Sequence, residues 1–140
     1  MSLNEDKTFE LWQSFMPNRN KIKNRVSSDL ISLQVYDSTP SVVNMSKLFT
    51  KWAVAEVENF NVVPEGMKTL DVEGGLYAVF HYKGLNTDKK IFIDIYLNWL
   101  PESIYALDNR PHFQILGPKY KNNDPNSEED IYIPIKIRRD

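Results

Sequence analysis

Glu56 is the acid whose setting is hardest to read as ordinary surface. It lies in Lys51-Trp-Ala-Val-Ala-Glu-Val-Glu58, where strand alternation puts it on one face with Trp52 and Val54. A carboxylate among apolar and aromatic groups is costly unless a cation or hydrogen-bond donors meet it. Two readings follow. Either that face is outward and Glu56 pairs with a surface lysine, or Glu56 forms the wall of an aromatic pocket and orients an organic cation or a polar ligand. Tyr36, Tyr77, Tyr105 and Tyr132 pose a related question, because a buried tyrosine needs a partner for its hydroxyl. Tyr77 lies opposite in pleat to Leu76, Ala78 and Phe80, and Tyr132 lies opposite to Ile131 and Ile133. If the aliphatic face meets the helices, these tyrosines line another surface, that of a ligand groove. Trp12 and Trp99 end amphipathic helices, where core packing accounts for both.

Other chemistries find little support. The two histidines, His81 and His112, fall on different predicted strands, and no H-x-E or H-E-x-x-H spacing brings metal ligands together. They read as a partly exposed strand histidine and a hydrogen-bonded one beside Pro111. Gly74-Gly75 and Gly84 form neither a dinucleotide-binding nor a P-loop pattern, and there is no G-x-S-x-G elbow. The acid-rich stretch Asn122 to Asp130 lacks the alternating oxygen ligands of a calcium loop. Lys136, Arg138 and Arg139 are too few for a nucleic-acid arm. With no cysteine, disulfides, thiolate nucleophiles and cysteine zinc sites are all removed. No cofactor is called for.

The elements that must position Glu56 and the aromatics can be read from periodicity. Phe9, Trp12 and Met16 predict a helix over Asn4–Met16, capped by Asn4 or Asp6 and stopped by Pro17. A basic loop, Asn18–Arg25, precedes a strand over Leu30–Tyr36. Asp37–Ser46 is a turn-rich connection to a second strand over Lys51–Glu58. Lys68–Val72 reads as a strand, and so does Gly75–Tyr82, with Gly74-Gly75 marking a bulge or bend before it. Thr87 can cap a helix carrying Phe92, Ile95, Tyr96 and Trp99 on one stripe and ending before Pro101. His112–Leu116 and Ile131–Ile137 are the last strands, joined by a polar loop over Asn122–Asp130.

A coarse repeat runs through this order. Phe15-Met16-Pro17 and Trp99-Leu100-Pro101 each end a helix, and Tyr36 and Tyr120 each follow their proline by 19 residues. A chain of 140 residues is one domain's worth, or two half-size repeats folded together. Hydrophobic content of 41% and charged content of 26% exclude disordered and fibrous classes. Seventeen basic against nineteen acidic residues argue against direct nucleic-acid binding, which needs a concentrated basic face. No apolar run approaches the roughly 20 residues of a membrane span, and no signal segment begins the chain. The expectation is a soluble, cytoplasmic protein.

Five segments in order carry a resemblance: Lys51-Trp-Ala-Val-Ala-Glu-Val57, Gly75-Leu-Tyr-Ala-Val-Phe80 with Gly84, Trp99-Leu-Pro-Glu-Ser103, Arg110-Pro-His-Phe113, and Tyr132-Ile-Pro-Ile-Lys136. Together they resemble the GyrI-like small-molecule-binding family, also called the AraC-type effector-binding domain or SOUL-like fold. The resemblance implies an α+β fold of two βαββ halves related by a pseudo-two-fold, here about 4–60 and 66–138 of one domain, with an antiparallel sheet packed by two helices. It implies a small, often lipophilic and cationic ligand in an aromatic groove, in a regulator's sensor domain or a stand-alone sequestering protein. The expected ligand-binding residues are Tyr36, Trp52, Glu56, Tyr77, Trp99, Tyr105, Gln114 and Tyr132. The family usually has glutamate where this chain has Gln114, which keeps hydrogen bonding but loses the charge and makes Glu56 the better acid. The family's first strand has no counterpart here, so either the chain is truncated, or that sheet edge is open, or a neighbouring chain covers it, and no helix-turn-helix precedes the domain, so any role at DNA would need a separate regulator protein. Two other functions stay open: hydrolysis of a small electrophile, with Glu56 activating water, and a gyrase-inhibitor-like interaction with a protein partner.

Overall fold

A computed structural model describes residues 7–36 and 49–138. Helix α1 (Thr8–Phe15) continues into a 3-10 turn (Met16–Lys21). Strands β1 (Leu30–Val35), β2 (Thr50–Val54) and β3 (Tyr77–Lys83) follow. Three contiguous helical stretches, Lys90–Ile93, Asp94–Trp99 and Leu100–Glu102, make one helix, α2. Strands β4 (Tyr105–Leu107), β5 (His112–Leu116) and β6 (Glu128–Ile137) complete the chain. The sheet is antiparallel in the order β2-β1-β5-β6-β3, with β4 pairing the far end of β6. This is an α+β fold, with two helices and six strands among the described residues. The β1-β2 and β5-β6 hairpins abut through β1 and β5, while the duplication of βαββ halves stays an expectation.

Cross-strand pairing decides what lies on each face, because directly paired residues point the same way and neighbours alternate. Leu33 pairs with Trp52 and Phe113, Phe113 with Tyr132, and Tyr132 with Val79. Tyr77 shares that face by its place in β3. The other face carries Ser32, Gln114, Ile131, Ile133, Ile135 and Phe80. Helix α2 packs on this second face through Ile95, Tyr96 and Leu100, and Ile131 and Ile133 are each only 1% exposed beneath it. Burying each of those isoleucines contributes roughly 1.5–3 kcal/mol.

Several boundaries differ from the sequence expectations. The proposed caps Asn4 and Asp6, and the 37–46 connection, lie outside the described residues. Helix α2 begins at Lys90 rather than at a Thr87 cap, and it is Asp88 Oδ1 that accepts from the Lys90 N–H, at 2.9 Å. The helix also runs past Pro101. Proline cannot donate to the fourth residue before it, and the wider π-helical winding over Asp94–Trp99 accommodates that loss. Residues 68–72 form no strand among the described residues, none of which pairs with them. Glu128–Asp130, read as loop, belong to β6, and β4 was not anticipated. Gly75 marks a close approach: a Cβ there would sit 2.6 Å from Arg110 Cζ.

Candidate functional site

The face away from α2 carries an open groove of about 1140 Å³. Its floor is Leu33 and Ile31 of β1 with Trp52, Phe113, Ile115 and Tyr132; Leu11 and Phe15 of α1 close one side, and residues of the 59–72 stretch close another. Phe113 and Tyr132 stack with centroids 4.7 Å apart and planes 13° apart, as their direct pairing across β5 and β6 requires. Tyr77 tilts against Phe113 at 5.3 Å and meets Tyr132 edge-on at 6.0 Å. The result is a continuous aromatic surface at the mid-sheet.

Arg110 holds one end of that surface. Its guanidinium lies over the Tyr77 ring, 4.5 Å from the centroid. Nε donates to Asp108 Oδ2 at 2.8 Å, and Nη2 donates to the carbonyls of Leu76 and Ile135 at 2.6 and 3.2 Å. The Arg110 side chain is only 6% exposed, while its partner Asp108 is 36% exposed. Asp108 is held below the usual carboxylate range by the Arg110 hydrogen bond. Burial raises the Tyr77 phenol, against the opposing pull of Arg110.

The eight expected ligand residues divide between the faces. Trp52, Glu56 and Tyr132 line the groove, and Tyr77 joins it through its ring contacts. Glu56 is exposed at the rim, with Lys68, Glu65 and Asp71 the other charged residues along it, while Lys51, paired with Gln34, turns its side chain toward the α2 side. That leaves three acids against one base on the groove side. Tyr36, Trp99, Tyr105 and Gln114 belong to the α2 side instead. Gln114 follows Phe113 by one residue, so its side chain points the other way. Trp99 stacks on Tyr105 at 6.2 Å and meets Phe80 edge-on at 5.0 Å. Tyr36 is 7% exposed, and burial pushes its phenol up to about 12.

The α2 side also carries a buried polar row. Ser32, Gln34, Gln114, His112 and Glu129 are each exposed by 9% or less. Gln114 Oε1 has no partner among the described residues. Glu129 is the diagonal neighbour of Gln114 across β5 and β6, and burial raises its carboxyl to about 7 against the opposing charge of Lys51. His112 Nδ1 and Tyr96 Oη share a 2.8 Å hydrogen bond, and burial lowers that imidazole to about 3, so it is neutral. His81, on the groove face near the opposite sheet edge, has Asp130 on Nδ1 and Glu128 on Nε2, each at 2.8 Å. Among the described residues no group of three or more such ligands could hold a metal ion.

Sequence reasoning missed Phe113, although it stood inside the Arg110-Pro-His-Phe113 segment. Only the register reveals that it stacks on Tyr132. Glu129 was missed because the acid-rich stretch around it read as a solvated turn.

No helix among the described residues is long and apolar enough to cross a membrane. The chain is 30% identical over 128 residues to the transcriptional regulator BrlR of Pseudomonas aeruginosa, covering 90% of this chain and 45% of that protein. It therefore spans less than half the length of this curated relative. Residues 2–135 match the Cass2 family, described as integron-associated effector binding protein. With that match running over nearly the whole sequence, the chain belongs to the Cass2 family of effector-binding proteins, a GyrI-like family.

Proposed function

We propose that this chain is a regulator-type effector-binding module that holds a small, largely apolar organic molecule against Trp52, Phe113 and Tyr132. The observation that carries this reading is the groove itself, about 1140 Å³ of open space floored by rings and aliphatic side chains. Ligand sites of this kind combine a concave apolar wall with a few polar groups for orientation. Each good ring–ring contact adds about 0.5–1.5 kcal/mol beyond area burial. The surplus of acids around the rim, Glu56 among them, favours a cationic ligand over an anionic one. The likeness to a transcriptional regulator supports a sensing role, with the response carried by a further domain or a separate protein.

A second reading puts the ligand's polar end on the α2 side, and the unpartnered Gln114 Oε1 beside Glu129 favours it. The tryptophans separate the two. In a Trp12→Phe, Trp99→Phe double variant only Trp52 reports. Proflavine (a cation), neutral acridine and an anionic naphthalene sulfonate would be titrated in turn. Quenching of Trp52 with a rise in melting temperature is expected, strongest for proflavine. At one hundred times the dissociation constant, native-state binding adds about 2.7 kcal/mol of stability. A change confined to Trp99 in the reciprocal variant would move the site to the α2 side. Silence of both tryptophans and of the melting temperature across the panel would refute ligand binding.

A further inference from the structure

Strand pairing gives the groove face two distinct ends. Trp52, Leu33, Phe113, Tyr132 and Val79 form one row from β2 to β3, since each pairs directly with the next. Tyr77 lies two residues beyond this row on one side, and Val54 and then Glu56 lie beyond it on the other. The Glu56 backbone is held there, its carbonyl accepting from the Val26 N–H at 2.9 Å beside the Arg25–Val57 bridge. Tyr77 and Glu56 thus stand at diagonal corners, separated by four strand spacings, or about 19 Å across the sheet alone.

The two corners carry opposite charge. At the Tyr77 corner the Arg110 guanidinium covers one face of the ring, 4.5 Å from its centroid. Cations sit on aromatic faces within about 6 Å of the centroid, so Arg110 already fills the position that a ligand cation would seek on this face. Hydrogen bonds hold both partners in place. Arg110 Nη2 donates to the Leu76 carbonyl at 2.6 Å and Nε to Asp108 Oδ2 at 2.8 Å, while the Tyr77 hydroxyl donates to the Pro111 carbonyl at 3.3 Å. Neutralisation at this corner is incomplete. Arg110 Nη1 is buried with no acceptor among the described residues. The Asp108 side chain is 36% exposed against 6% for Arg110, so solvent screens the carboxylate more than the guanidinium. The opposite corner carries the Glu56 carboxylate, exposed at the rim. Asp130 and Glu128, on the same side of the aromatic row as Glu56, are each already held by His81 at 2.8 Å.

We propose that Arg110 is the positioning residue that gives the groove its direction, turning the charged end of an elongated organic cation away from Tyr77 and toward Glu56. This rests on the reading that the groove holds the ligand. Arg110 acts through Tyr77: a cation brought to that ring meets a like charge already on it, whereas Glu56 offers an opposite one. The apolar end of the molecule is left on Phe113 and Tyr132. An elongated anion reverses for the same reason, so the groove selects the direction of its guest as well as its charge.

Two probes of nearly equal length and opposite end charge test this on the unaltered chain: dansylcadaverine, which ends in an ammonium, and dansyl-6-aminohexanoate, which ends in a carboxylate. Intermolecular NOEs from the methylene beside the ammonium should reach Trp52 and Val54, with the naphthalene protons on Tyr132 and Tyr77. The carboxylate probe should show the reverse, its terminal methylene on Tyr77 and its naphthalene on Trp52. In Arg110→Met the reversal should vanish, and the carboxylate probe should bind about tenfold more weakly. If that variant fails to fold, the two probes on the unaltered chain still decide. One direction for both probes, an ammonium end on Tyr77, or a reversal that survives in Arg110→Met overturns the role of Arg110. Contacts to Trp52, Phe113 and Tyr132 in any of those cases leave the groove reading standing. NOEs from neither probe to any of these rings overturn the groove reading and the inference with it.

Discussion

Replacing Glu129 with glutamine should change how stability depends on pH. Glu129 is 8% exposed, and its charge acts on, or is acted on by, Lys51 and the phenols of Tyr82 and Tyr120. Tyr82 is turned away, its hydroxyl donating to the Leu85 carbonyl at 2.8 Å, so it does not solvate the carboxylate. Burial raises the acid from 4.5 to about 7, with Lys51 offsetting part of the effect. The native state therefore holds this proton where the unfolded chain has released it. Stability from this group is complete below pH 4.5, falls as pH rises, and has been lost above about 7. At about 1.36 kcal/mol for each decade of proton affinity, the loss is on the order of 3 kcal/mol. Glutamine has the shape of the protonated acid and cannot ionise. Urea unfolding of both proteins from pH 4 to 8.5 should give curves that agree at the acid end and diverge upward for Glu129→Gln. Taking the difference cancels other titrating groups. Parallel curves would show that the carboxylate is solvated, and the buried polar row would lose its basis.

Gly75→Ala should cost about 1–3 kcal/mol, because the new Cβ would sit 2.6 Å from Arg110 Cζ and push the guanidinium off Tyr77. Chemical denaturation measures the cost, and a loss below about 0.5 kcal/mol would mean that the Arg110 clamp can shift freely. His81 should titrate above the usual histidine value, since both ring nitrogens face carboxylates and the imidazolium alone can donate to both. Its contribution is present at low pH and is lost as pH rises through the raised value. An NMR titration of the His81 ring should move downward in Asp130→Asn and in Glu128→Gln, and an unchanged midpoint in both would remove the bridge from solution.

Much of the fold was legible because its signals were local. The stripe of Ile95, Tyr96 and Trp99 announced α2, and the parity of Ile131, Ile133 and Ile135 against Tyr132 separated a helix-covered face from an aromatic one. Which face each expected ligand residue lies on was not legible, because that depends on register between strands far apart in sequence. Trp52 and Tyr132 were grouped with Tyr36 on residue type and with Gln114 through the resemblance, and one step of pleat divides them. Glu56 stood out for its apolar neighbours, yet its position beyond the end of β2 leaves it at the rim. Pro101 read as a stop, and the widened winding before it let the helix continue. Residues 68–72 read as a strand yet pair with none of the described residues, which periodicity cannot report.

The most direct measurement is of intermolecular NOEs between bound proflavine and the protein's aromatic protons. The groove account requires contacts from the ligand rings to Trp52, Phe113 and Tyr132 together, with none to Trp99 or Tyr105 beneath α2. Contacts to the Trp99–Tyr105 pair without any to Trp52 would contradict it.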